Sequence, residues 1–222
     1  MTVKKALNEI EAIVFRTTNL LLGFISETGR AGAELRYVVG DLQARVNVYV
    51  RDGTFGQRIL TCFKLATEAG ITVQWLDKIL EQLESEQPSE LGVVLVVQNM
   101  VLMALAQDAR ILAKTEFTSR NDVDDMLVRM KDWFDIARDN AANQRDNPSY
   151  QALNYLAGAV VRYLADVARP LPRMINFDVV PSPALALSQF LYHDGTRSEE
   201  IVAENRIIHP LFCPNQIRGL SA

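Results

Sequence analysis

Apolar residues near the start of the chain recur at alternating spacings of four and three. They are Val3, Leu7, Ile10, Val14, Leu21 and Phe24, with Thr17 completing the series. This spacing is typical of a helix that carries a coiled-coil seam, and it predicts a first helix over residues 3–25. A seam of this length packs either inside its own helical bundle or against another copy or another protein, and the pattern leaves both alternatives open.

Six further segments show helical spacing of apolar residues, separated by turn and loop signals such as Asp52-Gly53, Gly70 and Pro88. The predicted helices cover residues 33–50, 54–69, 72–83, 90–115, 118–140 and 149–168. Trp75 lies beside the apolar stripe of the fourth helix and is predicted to anchor the bundle. The polar segment 140–148 is predicted to be an exposed linker, and Arg169-Pro170-Leu171-Pro172 ends the seventh helix.

The fifth predicted helix contains the most apolar window of the chain, beginning at Leu91. Gln98 and Asn99 interrupt this window, which falls short of the roughly twenty apolar residues that a bilayer requires. We therefore expect a buried central helix and no membrane span.

The last fifty residues follow a different pattern. Phe177, Val179 and Val180 predict a short strand that prolines end, and a helix is predicted to follow through Tyr192. Ser198 is the predicted N-cap of a second short helix, and Pro210 and Pro214 force an extended return. The predicted order is strand, helix, helix, strand.

Composition limits the classes of function that this chain can have. Its 222 residues, 49% of them hydrophobic, can bury one substantial core, or one core and a small satellite module. A formal charge of -4 argues against a broad nucleic-acid interface, which requires clustered Lys and Arg. Cys62 and Cys213 have no disulfide or metal-ligand spacing and are predicted to be buried thiols. The first residues lack the features of a secretory signal.

The sequence offers little for catalysis or metal binding. The acidic residues Asp122, Asp124 and Asp125 follow a predicted N-cap at Thr118 or Ser119, and the positive start of a helix explains them without a metal. His193 and His209 flank the second short helix but lack a third ligand, so a turn position explains each of them better than zinc. We find no phosphate loop, nucleophile elbow or paired carboxylates with a base. The sequence therefore predicts a protein that is not an enzyme and needs no cofactor or metal.

The C-terminal segment resembles a LysM module, a fold of about fifty residues in which two helices pack on a two-stranded sheet. The resemblance lies in Tyr192 to Gly195, Glu200 to Asn205 and the run from Pro210 to Pro214. More narrowly, 191–197 and 205–212 resemble the C-terminal end of the DNA circularisation (DNA circulation) family of Mu-like phages. The helical segments over 97–125 are also similar to that family, whose β-rich N-terminal domain has no counterpart here.

These resemblances imply a fold and a role. They imply a mainly α protein, a multi-helix bundle over 1–172 followed by a small LysM-like strand-helix-helix-strand module over 173–222. LysM folds often bind N-acetylglucosamine polymers between the loop after the first strand and the loop before the last, here 180–183 and 207–210. Pro181 and Pro183 remove two amide donors from the first of these loops, which favours protein docking over glycan binding.

The phage family implies a virion structural protein, a tail or baseplate component made in the host cytoplasm. The expected partners are other tail proteins, such as tube, hub or wedge proteins, and several copies are expected around the tail axis. The interface candidates come from the N-terminal seam and from the C-terminal module; they are Val3, Leu7, Ile10, Val14, Leu21, Phe24, Tyr192, Arg197, Asn205, Ile208, Pro210 and Phe212. A peptidoglycan-binding protein that anchors a particle or a lytic factor to the cell wall is the alternative, and direct DNA handling is a third reading suggested by the family's name alone.

Overall fold

The structure is a computed structural model, which describes residues 2–25 and 29–221. It is mainly helical. Seven helices come first along the chain: α1 (Thr2–Gly23), α2 (Arg30–Arg51), α3 (Phe55–Glu68), α4 (Val73–Glu84), α5 (Leu91–Leu112), α6 (Arg120–Asn143) and α7 (Asn147–Ala168). The predicted helical bundle is confirmed.

The C-terminal elements follow the predicted order of strand, helix, helix, strand, which is also confirmed. They are β1 (Met174–Asp178), α8 (Ala184–Tyr192), a 3-10 turn (Gly195–Arg197), α9 (Ser198–Glu204) and β2 (Gln216–Leu220). Contacts divide the chain into two compact units. One comprises Met1–Thr115 and Met130–Val160, and the other comprises Glu116–Arg129 and Val161–Ala222, so the second unit takes in more than residues 173–222.

The apolar seam of α1 packs inside the first unit. Leu7, Ile10, Val14 and Leu21 are all buried, and α1 contacts α2, α3, α4 and α5. The side chain of Val3 lies outside the described residues. These four seam residues therefore pack inside their own helical bundle, which is the first of the two alternatives.

Trp75 anchors α4 to the end of α1, as predicted. Its indole Nε1 donates a hydrogen bond to the Leu20 carbonyl at 2.6 Å, and its ring meets Phe24 edge-on with ring centroids 6.5 Å apart. The helix itself begins after Thr72, whose hydroxyl accepts a hydrogen bond from the Trp75 N–H. A capped helix start therefore fixes the ring against its neighbour.

Among the described residues, α5 is the one helix long and apolar enough to cross a membrane by length and composition. The core helix of a globular bundle meets the same criteria. One face of α5 is buried, including Val93, Val97, Met100 and the polar residues Gln107 and Asp108, and the helix contacts α1, α3 and α4.

The start of α6 is a capping box. The Ser119 hydroxyl accepts a hydrogen bond from the Asp122 N–H at 3.2 Å, while the Asp122 carboxylate accepts from the Ser119 N–H at 3.1 Å. The capping interpretation of Asp122 is thus confirmed. The predicted linker 140–148 is wrong in length, because α6 continues to Asn143 and α7 already begins at Asn147, with Pro148 in its first turn, where proline is well tolerated.

The two strands pair antiparallel, from Met174 opposite Leu220 to Asp178 opposite Gln216. The strand begins and ends earlier than Phe177, Val179 and Val180 predict. The Val179 N–H still donates a hydrogen bond to the Asn215 carbonyl at 2.8 Å. The Val180 side chain is exposed to solvent, because the prolines redirect the chain there. This correction moves the start of β1 three residues, and its end two residues, towards the N-terminus.

The module has its own small core. Ala184 and Leu187 of α8, Ile201 of α9, and Cys213 and Ile217 near β2 are buried together. Partly buried apolar residues surround them; these are Phe177, Val179, Leu191, Tyr192, Val202 and Ile207. All four elements of the module contribute to this core, which fixes the positions of the two long loops between them.

Candidate functional site

The two loops of the module lie side by side. The Ala184 N–H, at the start of α8, donates to the Pro210 carbonyl at 2.7 Å, and the Cys213 N–H donates to the Ser182 carbonyl at 3.3 Å. These bonds join the loop after β1 to the loop before β2. The structure therefore brings together 180–183 and 207–210, which the resemblance to LysM modules places beside each other.

The two loops and the first turn of α8 expose large apolar side chains. We call Val180, Leu185, Ile208, Leu211 and Phe212 the loop surface. Ile208 is 100% exposed and Phe212 76% exposed, and the other three are also more than half exposed. The His209 ring lies beside the Phe212 ring, with ring centroids 5.5 Å apart. These exposed apolar side chains make the loop surface the candidate interaction site of the module.

Some backbone donors of the loops are missing or already used. Pro181, Pro183 and Pro210 have no N–H, and the N–H groups of Ala184 and Cys213 are already bonded between the loops. The Phe212 N–H is also used, in a turn that closes on the His209 carbonyl at 3.0 Å. The N–H groups of five other loop residues have no partner among the described residues; these are Val180, Ser182, Ile208, His209 and Leu211. The exposed apolar side chains, and not a lack of donors, therefore distinguish the loop surface.

Tyr192 and Arg197 support the module from within. The Arg197 guanidinium lies 3.7 Å from the centre of the Tyr192 ring and donates two hydrogen bonds to the Glu200 carboxylate, at 2.9 and 2.8 Å. On its other side the tyrosine ring meets Phe177 edge-on. These contacts hold α8, α9 and β1 together.

Charge and burial shift the pKa values of this group. The hydrogen bonds to Glu200 raise the pKa of Arg197, which therefore stays charged. Burial raises the pKa of the Tyr192 phenol, the Glu200 charge raises it further, and Arg197 opposes both effects. The Tyr192 hydroxyl is buried and has no hydrogen-bond partner among the described residues. The tyrosine is therefore a neutral packing residue at ordinary pH.

Asn205 holds the outer edge of β2. Its Oδ1 accepts from the Arg218 N–H at 2.6 Å and its Nδ2 donates to the Arg218 carbonyl at 2.7 Å. The same amide also donates to the Ile201 carbonyl, at 2.8 Å. The Asn205 side chain thus makes the hydrogen bonds that a neighbouring strand would make with Arg218. This structural role explains why an asparagine lies at position 205.

The eleven interface candidates whose side chains the structure describes, which leave out Val3, fall into different environments. Leu7, Ile10, Val14 and Leu21 are in the core, and Phe24 packs on Trp75. Tyr192, Arg197 and Asn205 make contacts within the module, and Ile208, Pro210 and Phe212 are exposed. The last group is the most exposed of the set, because Tyr192, Arg197 and Asn205 are partly buried.

Five exposed apolar residues of the module are absent from the predicted set: Ile175, Val180, Leu185, Phe190 and Leu211. The sequence does carry a signal for two of them. The segment Ala184–Tyr192 is apolar almost all round, although a helix packed on one side needs an apolar stripe on that side alone. The apolar residues of α8 that the module's core does not need, Leu185 and Phe190, indicate a second apolar contact on the outer side of the helix.

Metal and nucleophile chemistry finds no support in the described residues. Within 2–25 and 29–221, no group of three or more His, Cys, Asp or Glu side chains is placed to hold a metal ion. His193 ends α8 in the left-handed conformation, at φ 55°, where it acts as a C-cap. Cys62 and Cys213 are separate buried thiols.

The geometry defines a class of molecule, a helical body with a small β-α-α-β module whose two loops present an apolar surface. Neither a family model nor a curated protein matches this sequence.

Proposed function

We propose that this protein is a structural component of a phage tail or baseplate, and that its C-terminal module docks on a neighbouring tail protein during virion assembly. The observation that carries the proposal is the loop surface. It places five large apolar side chains, each more than half exposed, on one small module. Such a surface gains free energy when another protein covers it.

The assignment to a tail rests on the resemblance of 191–197 and 205–212 to the C-terminal end of the Mu-like phage family. The structure supports the proposal to the extent that both segments lie in one β-α-α-β module. Repeated copies around a tail axis would place the same loop surface against the same neighbour in every copy. In this account the helical body carries the module and performs no chemistry.

The proposal is tested by mixing the purified full chain with the tube, hub and wedge proteins encoded beside it. We expect a stable complex with at least one of them, seen by size-exclusion chromatography with light scattering. A chain that stays alone in every mixture would refute the docking role.

Peptidoglycan binding is the second function to test, because the module has the element order of a LysM fold and brings the two corresponding loops together. Sedimentation with insoluble peptidoglycan separates the two functions. Docking predicts that the chain stays in the supernatant. Retention that is lost when Ser182 and Ile208 are replaced would instead support a cell-wall role.

A further inference from the structure

The two edges of the β1–β2 sheet present different hydrogen-bonding groups. The Ser221 N–H bonds the Arg173 carbonyl, and the Val179 N–H bonds the Asn215 carbonyl. Bonded and non-bonded pairs alternate in an antiparallel ladder. The register therefore turns the N–H and C=O groups of 174, 176 and 178 outwards on β1, and those of 216, 218 and 220 outwards on β2.

Side chains close much of the β2 edge. Asn205 bonds both the N–H and the carbonyl of Arg218, and Arg197 donates to the Leu220 carbonyl at 3.4 Å. Two of the three outward residues of β2 are thus occupied. Proteins commonly protect exposed strand edges in such ways, because an unprotected edge pairs with other strands.

The β1 edge is closed only at its start. Asn121 accepts from the Met174 N–H at 2.8 Å. Within the described part of the chain, no hydrogen bond involves the outward N–H and C=O groups of Asn176 or Asp178, and both residues are exposed. A short length of strand edge is left unpaired beside the module's loops.

An open groove of about 410 Å³ adjoins this edge, between the end of β1 and α8. Its apolar lining comes from Val179, Val180, Ala186, Leu187 and Phe190, and Asp178 and Ser182 also line it. Phe190 is 74% exposed, so one wall of the groove is an aromatic side chain with a free face. The groove is therefore both apolar and bordered by free backbone groups.

We propose that the open β1 edge and this groove bind an extended segment of a neighbouring protein, which adds to the sheet as a third strand. This inference rests on the proposed function and names the chemistry of the partner. Alternating donors and acceptors along an edge match another extended backbone. Every second side chain of that segment faces the groove and is apolar, and a Lys or Arg lies opposite Asp178.

Charge argues against a second copy of β1 as the occupant. Self-pairing centred on Asp178 sets two carboxylates opposite each other, which is destabilising. Self-pairing centred nearer the N-terminus meets Met174, whose N–H is already bonded to Asn121. A basic, partly apolar strand from another protein has neither problem.

The test uses the full chain and a display library of random nine-residue peptides. Selected peptides are expected to alternate apolar residues around a Lys or Arg, and to slow amide hydrogen exchange at Asn176 and Asp178. The variant Asn176→Pro removes the outward N–H without removing a sheet hydrogen bond. It should weaken binding about tenfold, whereas the matched control Asn176→Thr should bind as the parent does.

Circular dichroism checks that the Asn176→Pro variant folds. If that variant does not fold, Asp178→Pro, at the end of the strand, is tested in its place. The inference is overturned if no peptide is selected, if the proline variants bind equally well, or if other amides are slowed. Protection of these amides by self-association, or by N-acetylglucosamine oligomers, would also overturn it.

The same variants separate this inference from the proposed function. A tail protein that binds the parent and Asn176→Pro equally would leave docking intact and refute strand addition. If the chain binds selected peptides at the β1 edge but binds no tail protein, the tail assignment is refuted and strand addition is not.

Discussion

Gly219 lies directly against the Tyr192 hydroxyl, so closely that a Cβ at position 219 would overlap the phenol oxygen. The same Cβ would come within 3.2 Å of the Phe177 ring. The tyrosine packs over β2 only because a glycine is there, and the tyrosine in turn carries Arg197 on its other face. This pair decides how α8 sits on the sheet.

The substitution Gly219→Ala is therefore expected to destabilise the module by about 1–3 kcal/mol, because the tyrosine ring must move and loses contacts. Thermal unfolding followed by calorimetry measures the change. Gly40→Ala in α2 is the matched control, since a Cβ there meets no atom within 4 Å. It should stabilise the protein by about 0.5–1 kcal/mol. Equal effects of the two substitutions would contradict the packing described.

Asn205 provides a second test of the module. Replacing it with Ala removes both hydrogen bonds to Arg218 and should cost about 1–2 kcal/mol. The amide of Arg218 should then exchange much faster. Asn205→Asp keeps an acceptor for the Arg218 N–H and loses the donor, so its exchange rate should lie between those of the parent and Asn205→Ala. An Arg218 amide that exchanges equally fast in all three proteins would show that the bond is not formed.

The capping box predicts different effects for neighbouring acidic residues. Asp122→Ala removes the acceptor for the Ser119 N–H and should destabilise α6 by about 1 kcal/mol. Asp125→Ala, in the same acidic cluster, should cost only a few tenths. Chemical unfolding measures both changes. Equal losses, or a gain of stability on adding calcium, would favour a metal role for the cluster.

Cys62 gives the protein a dependence on pH in the alkaline range. Burial raises the pKa of its thiol from 9.0 to about 12. Above pH 9 the unfolded thiol ionises while the folded one does not, so stability is full below about pH 9 and falls as the pH rises towards 12. Cys62→Ala should make the alkaline loss smaller. A thiol reagent at pH 8 should modify Cys62 only after unfolding, and rapid labelling of the folded chain would contradict its burial.

Local patterns predict the order of elements well. The heptad spacing of α1, the turn at Asp52-Gly53 and the prolines after Ala168 depend on neighbouring residues alone, and each appears in the structure. Ser198 shows where local signals fail, because it is the first residue of α9 and Arg197 is the N-cap. Asp194, four residues earlier, caps the preceding 3-10 turn, where its side chain accepts from the Thr196 N–H. The sequence pattern does not show which of these two residues acts as a cap.

The site is harder to predict because it depends on distant contacts. Nothing near Gly219 in the sequence indicates that Tyr192 lies over it, and the bond from Ala184 to Pro210 joins residues 26 positions apart. The heptad of α1 fits an internal or an intermolecular seam equally well, and only the burial of Leu7 and Val14 distinguishes them. Exposure of Phe190 and Leu211 likewise follows from how α8 and the loops fold on the core.

The most direct test of the central claim compares two exposed aromatic residues in binding to a tail protein. Phe212 belongs to the loop surface and is 76% exposed, and Tyr37 on α2 is 78% exposed. Isothermal titration calorimetry would give the dissociation constant of each variant with the tube, hub or wedge protein that binds the parent. Docking through the loop surface predicts that Phe212→Ser weakens binding at least about tenfold, while Tyr37→Ser leaves it unchanged. Binding that survives Phe212→Ser and is lost in Tyr37→Ser would contradict the account.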